Sequence, residues 1–149
     1  LNVEPMFSGC VCCTMAGELV VNVRSIIDRF APEWIILETT GMAYPNNVKK
    51  TMHDSMPELD CRICCLVDAK RWQRMQRVEQ LAEFSREQLE GASVVLVNKS
   101  DLVNAETLQA VDASIRGYND ETPIFHVSAA EGIATAVWER VFAEEGSGT

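Results

Sequence analysis

From Leu19 to Phe30 the apolar side chains Leu19, Val20, Val23, Ile26, Ile27 and Phe30 recur at the spacing of one helix face. Thr14 stands at the N-cap position and Pro32 ends the run. "WIILE", residues 34 to 38, is an apolar run closing on a carboxylate, the pattern of a strand buried on both faces. Pro45 opens a second helix that runs to about Met56. "CRICCLVDA", 61 to 69, predicts a second strand. Residues 70 to 90 are charged and amphipathic, one helix or two. "ASVVLVN", 92 to 98, predicts a third strand between Gly91 and a polar turn. A helix is expected over 105–116, a fourth strand over "TPIFHVS" (122–128), and a last helix from about Ile133 to Ala143.

Strands rich in Val and Ile that alternate with helices imply an α/β fold. Its expected form is a doubly wound, mostly parallel sheet with helices on both faces. The crossovers should be right-handed. Such sheets bind ligands beyond the carboxyl ends of their strands. Those ends are Glu38-Thr39-Thr40-Gly41, Asp68-Ala69, Asn98-Lys99-Ser100-Asp101 and Ser128-Ala129-Ala130.

Composition narrows the function. The 149 residues suit one domain with a sizeable core. A net charge of −9 argues against a nucleic-acid backbone or an anionic membrane as partner. No apolar run reaches the roughly 20 residues that cross a bilayer, and no secretory signal opens the chain. With a proper core and no export signal, the six cysteines point to a reducing, cytoplasmic setting, where clustered thiols bind metal or do redox chemistry. Leu1 is not an initiator methionine and "LNVEPMF" reads as the tail of a strand, so the chain is expected to be a fragment or to lack its beginning. "EEGSGT", 144 to 149, is expected to be a flexible tail.

The strand ends carry chemistry. In "NKSD", Asp101 can accept from both the ring imino group and the exocyclic amine of guanine, a donor pair adenine lacks. An unpaired buried carboxylate would cost about 1–3 kcal/mol or more. Asn98 would tie neighbouring loops together and the Lys99 stem would cover the ring; the plain alternative is a polar turn capped by Asp101. In "ETTG", Glu38 could hold magnesium through water, and the Gly41 amide could approach a terminal phosphate; the alternative is a strand end turning into a loop. Backbone amides near Ser128, Ala129 and Ala130 could contact the guanine carbonyl oxygen.

"GCVCCT" places Cys10, Cys12 and Cys13 within four positions. Zinc and cobalt favour thiolate sites, and three thiols leave one coordination position for another ligand. In an extended strand Cys12 and Cys13 would face opposite ways, so gripping one ion requires a bend. The alternative is small apolar packing; a Cys12–Cys13 disulfide is disfavoured by geometry. Cys61, Cys64 and Cys65 lie in a predicted strand and are read as core packing. His53 and His126 are read as structural or solvated, and the Arg71–Arg77 run as a solvated face or partner surface.

Taken in order, GCVCCT, ETTG, NKSDL and SA resemble the metal-accessory class of P-loop GTPases, and within it the CobW-like metallochaperone family. The resemblance spans residues 3 to about 135. It implies a P-loop NTPase-like fold and GTP/GDP and Mg2+ as cofactors. Asn98, Lys99, Asp101, Ser128 and Ala129 would read the base, Glu38 and Gly41 would serve catalysis, and Cys10, Cys12, Cys13 and Glu38 would hold metal. No glycine here is followed by lysine, so the phosphate-cradling GxxxxGK[ST] is absent. The resemblance therefore implies a domain truncated at its N-terminus. Residues 1–143 would run from after the first switch through the base motifs, and the chain alone would bind GTP poorly. The implied activity is GTP-gated transfer of Zn2+ or Co2+ to a client metalloprotein or cofactor-pathway enzyme, with a symmetric homodimer in keeping with the family. The alternatives are a non-catalytic zinc or redox-sensing thiol module on a degenerate GTPase fold, or a nickel-type accessory GTPase.

Overall fold

The computed structural model describes residues 16–39 and 44–143, in two compact units divided after Cys61. In the first, helix α1 (Ala16–Phe30) ends where Ala31 takes φ 41° and its N–H reaches the Ile27 carbonyl at 2.8 Å. Pro32 has no N–H with which to continue, as its position predicts. The Thr14 cap lies outside the described residues. Helix α2 (Pro45–Ser55) starts on proline as expected. Leu19 and Val23 of α1 pack on Met52 of α2 and on Met56 just beyond it. Arg24 donates to the Ser55 carbonyl at 2.9 Å.

The predicted strand at 34–38 does not form. Residues 31–39 are irregular, and Trp34, Ile35, Ile36 and Leu37 are all exposed. A strand exists only against a neighbour that takes its N–H and C=O groups. No strand is present among the described residues of this unit, so the apolar run has no ladder to join.

The second unit carries a three-stranded parallel sheet. Strand β1 (Cys64–Asp68) pairs with β2 (Val94–Asn98), which pairs with β3 (Ile124–His126). The charged stretch at 70–90 resolves into two helices, α3 (Trp72–Met75) and α4 (Glu79–Glu90), broken at Val78 where the backbone is extended. A 3-10 turn (Ser100–Leu102) follows β2, and then α5 (Ala105–Arg116). Asn104 caps α5 by accepting from the Thr107 amide at 2.9 Å. Helix α6 (Thr135–Val141) closes the order.

Period-two alternation sorts β2 onto both faces. Val95 and Val97 pack with Leu89 of α4, Val111 and Ile115 of α5, and Trp72 of α3. Val94 and Leu96 face the other way, against Val137 and Val141 of α6. Arg62 ties down the end of α6 by donating to the carbonyls of Val141, at 3.3 Å, and Ala143. The sheet thus has helices on both faces, the layered α/β arrangement that the alternation of elements predicts. Among the described residues no helix is long and apolar enough to cross a membrane.

Cys64 and Cys65 split across the sheet. Cys65 packs beside the α4–α5 core and Cys64 beside the α6 core, while Cys61 packs in the α1–α2 unit. Burial pushes the Cys65 thiol from its ordinary 9.0 up to about 11. Core packing, the reading made from the strand pattern, accounts for all three.

Two expectations follow. Val95→Ala removes a side chain with no solvent contact and should cost about 1–3 kcal/mol in urea unfolding, whereas Leu66→Ala, at a site 66 % exposed, should stay within about 0.5 kcal/mol. Because folding holds the Cys65 proton more tightly, its contribution to stability is fully present below pH 9.0 and is lost as pH rises towards about 11. Iodoacetamide at pH 8 should therefore label Cys65 at least about tenfold more slowly in the folded chain than in urea. Equal labelling rates would contradict the buried, protonated thiol.

Candidate functional site

β2 is apolar until Asn98, where the chain leaves the core. The register sets Asp68 of β1 opposite Asn98. Three loops then meet around this one residue. The Asn98 carbonyl accepts from the Ala69 amide at 3.0 Å, which joins the ends of β1 and β2. Its side-chain Oδ1 accepts from the Lys99 amide at 2.8 Å and from the Ala129 amide at 3.0 Å. Ser100 reinforces the second link, its N–H and Oγ–H both donating to the Val127 carbonyl, at 3.1 and 2.9 Å. The loops after β2 and β3 are thereby fastened side by side.

Lys99 is the turning point. Its backbone is left-handed, with φ 62° and ψ 33°. For a residue with a Cβ this costs roughly 1–2 kcal/mol and persists only where its surroundings enforce it. The Asn98 side chain supplies part of that enforcement. The Lys99 ammonium reaches across to Asp68 Oδ2 at 2.8 Å. Asp68 Oδ1 accepts from the amides of Lys70, at 3.0 Å, and Arg71, at 3.1 Å. Burial at the strand end works to raise the Asp68 carboxyl. The Lys99 hydrogen bond and charge, together with the two amides, outweigh it and hold the group below its ordinary range. An open cavity of about 380 Å³ adjoins this pair, lined by Asp68, Lys70, Arg71, Arg74, Lys99 and Leu102.

Asp101 lies on the 3-10 turn with its side chain exposed and, among the described residues, unpaired. That is the state an acceptor needs if it is to read a base. Ser128 is buried, and its Oγ finds no partner among the described residues. The bridge between Ser128 and Gly132 folds the post-β3 loop back on itself, with Gly132 at φ 100°.

The structure thus brings five of the sequence-predicted residues together: Asn98, Lys99, Asp101, Ser128 and Ala129. Glu38 lies on the exposed irregular stretch of the other unit rather than at a strand tip. Gly41, Cys10, Cys12 and Cys13 lie outside the described residues. Among the described residues no group of three acidic, histidine or cysteine side chains is arranged to hold a metal ion. His53 is exposed on α2, and His126 Nε2 meets both carboxylate oxygens of Asp112 on α5, at 2.9 and 3.0 Å. Asp68 was visible in the sequence only as a strand end. Its partnership with Lys99 needed the β1–β2 register, which no local pattern encodes.

A family model described as CobW/HypB/UreG, nucleotide-binding domain, matches residues 2–126. The chain is 26 % identical over 145 residues to the zinc-regulated GTPase metalloprotein activator 1 of Dictyostelium discoideum, covering 80 % of this chain and 30 % of that protein. It is 24 % identical over 159 residues to a zinc chaperone CobW of Sinorhizobium sp, covering 91 % of this chain and 45 % of the relative. To the zinc chaperone YeiR of Escherichia coli it is 28 % identical over 108 residues, covering 69 % and 32 %. The chain therefore spans less than half the length of these relatives. No solved structure matches it significantly. A match that runs from residue 2 through β3, over a parallel sheet whose strand ends carry the fastened loops, makes this chain a member of the CobW/HypB/UreG family, matched along the model of its nucleotide-binding domain.

Proposed function

We propose that this chain is the guanine-reading part of a GTP-dependent zinc chaperone, in which GTP hydrolysis gates transfer of a thiolate-held zinc ion to a client metalloprotein. The observation that carries the reading is the joined edge at Asn98, Lys99 and Asp101. A carboxylate without a partner among the described residues sits on a turn that is hydrogen-bonded to the loops after β1 and β3. Asp101 accepts from the two guanine N–H groups. The Lys99 stem covers one face of the ring. The Ala129 amide is already given to Asn98, so Ala129 positions the loop, and the Ser128 and Ala130 amides are the donors proposed for the guanine carbonyl oxygen.

The remainder rests on sequence and family. Glu38, binding magnesium through water, and Gly41, near the terminal phosphate, are assigned from the ExxG pattern. Magnesium, when bound, supplies charge neutralisation for the transferred phosphate. Cys10, Cys12 and Cys13 would hold the cargo, and relatives named as zinc chaperones favour zinc over cobalt. The thiol segment lies between the regions that respond to the γ-phosphate. Ordering by GTP favours metal binding there, and hydrolysis favours release.

The base-reading claim is tested by titrating the full-length protein, which would include the phosphate-cradling segment, with GDP and ADP. GDP should bind at least about tenfold more tightly, because adenine leaves Asp101 unpaired. Asp101→Asn should remove that preference and favour xanthosine diphosphate, whose C2 carbonyl accepts from the new amide. Equal binding of GDP and ADP would end the guanine reading. The gating claim is tested on the full-length, reduced protein, with Zn(II) titrated with and without GTP and magnesium. GTP should tighten zinc binding at least about fivefold, a coupling of about 1 kcal/mol. Equal zinc affinity in both nucleotide states would remove the coupling.

A further inference from the structure

Lys99 has a long, flexible side chain, 45 % exposed, on a backbone already in an uncommon conformation. Left to itself, such a chain would sample many rotamers, and covering a base would mean ordering it at the moment of binding. In this molecule it is ordered beforehand. Its ammonium sits 2.8 Å from Asp68 Oδ2, and that carboxylate is only 23 % exposed. The anchor is itself fixed, because Oδ1 is held by the Lys70 and Arg71 amides.

The surrounding charge makes the anchor necessary. Four cations, Lys70, Arg71, Arg74 and Lys99, line the adjoining cavity with one carboxylate among them. Arg71 Nε stands 3.8 Å from Asp68 Oδ2, so two cations share that oxygen. Without Asp68 the like charges would push the Lys99 ammonium outward into water, drawing its stem away from the ring position.

We propose that Asp68 is a positioning residue of the nucleotide site, presetting Lys99 so that its stem is in place before the base arrives. This rests on the guanine reading above. It extends the site beyond the N-K-x-D stretch to the end of the neighbouring strand.

The test is a double-mutant cycle of Asp68→Asn and Lys99→Met in the full-length protein, with GDP affinity as the readout. Asparagine keeps an amide oxygen to accept from Lys70 and Arg71, so the turn survives while the charge facing Lys99 is lost. Methionine keeps an unbranched stem and removes the ammonium. Asp68→Asn should weaken GDP binding about five- to thirtyfold in the wild-type background and by less than about twofold in the Lys99→Met background. An unchanged affinity, or an equal loss in both backgrounds, overturns the proposal, since the second result assigns Asp68 to the turn alone. A wild-type full-length protein that does not prefer GDP to ADP removes the guanine reading instead, and this inference with it.

A second measurement needs no variant. Under limiting acetic anhydride at pH 8, followed by peptide mass analysis, Lys99 should acetylate at least about threefold more slowly than neighbouring Lys70, whose ammonium has no ion pair among the described residues. Equal rates would show that the pair does not hold in solution and would overturn the proposal even if Asp68→Asn failed to fold.

Discussion

Four consecutive side chains, Val94 to Val97, are removed from water on both faces of β2, and everything at the site depends on that burial. At roughly 25 cal/mol per Å² of apolar surface, a run buried on alternate faces strongly resists a one-residue slip. Such a slip would exchange the set facing α4 and α5 with the set facing α6. The strand is therefore locked in register, and Asn98 emerges at a fixed height. The polar loops at the carboxyl end inherit this precision.

Asn98 converts that precision into connectivity. It has one backbone carbonyl and one amide side chain, and with them it engages β1's end, its own successor and the loop after β3. A buried apolar strand cannot supply such links, because its polar groups are committed to the ladder. The first residue outside the core can. The unusual backbone at Lys99 is sustained there by the same bonds, and the ammonium is sustained by Asp68 one strand away. Rigidity therefore comes from the sheet, while the loops carry the chemistry, in keeping with where parallel sheets place ligands.

The β1 cysteine pair shows why thiol chemistry follows placement rather than count. Cys64 and Cys65 are adjacent in sequence and lie on opposite faces of β1, each beside a different core. Burial raises both thiols and keeps them protonated, the reverse of what a metal ligand needs. Extended backbone thus disarms a pair of neighbouring thiols.

The sequence by itself determined the order and kind of most elements, because hydrophobic periodicity is a local property of the chain. The 105–116 helix, the apolar β2 run and the proline-started α2 all follow from it. It also placed Asn98, Lys99, Asp101, Ser128 and Ala129 at strand ends, since a polar cluster after an apolar run marks the point where a strand leaves its core. Tertiary structure alone decided what non-local pairing controls. The apolar run at 34–37 forms no strand among the described residues, because a strand is a relation to a neighbour and not a property of one segment. Asp68 meets Lys99 across 31 positions of chain only because parallel register sets β1 beside β2. No window along the sequence contains that distance.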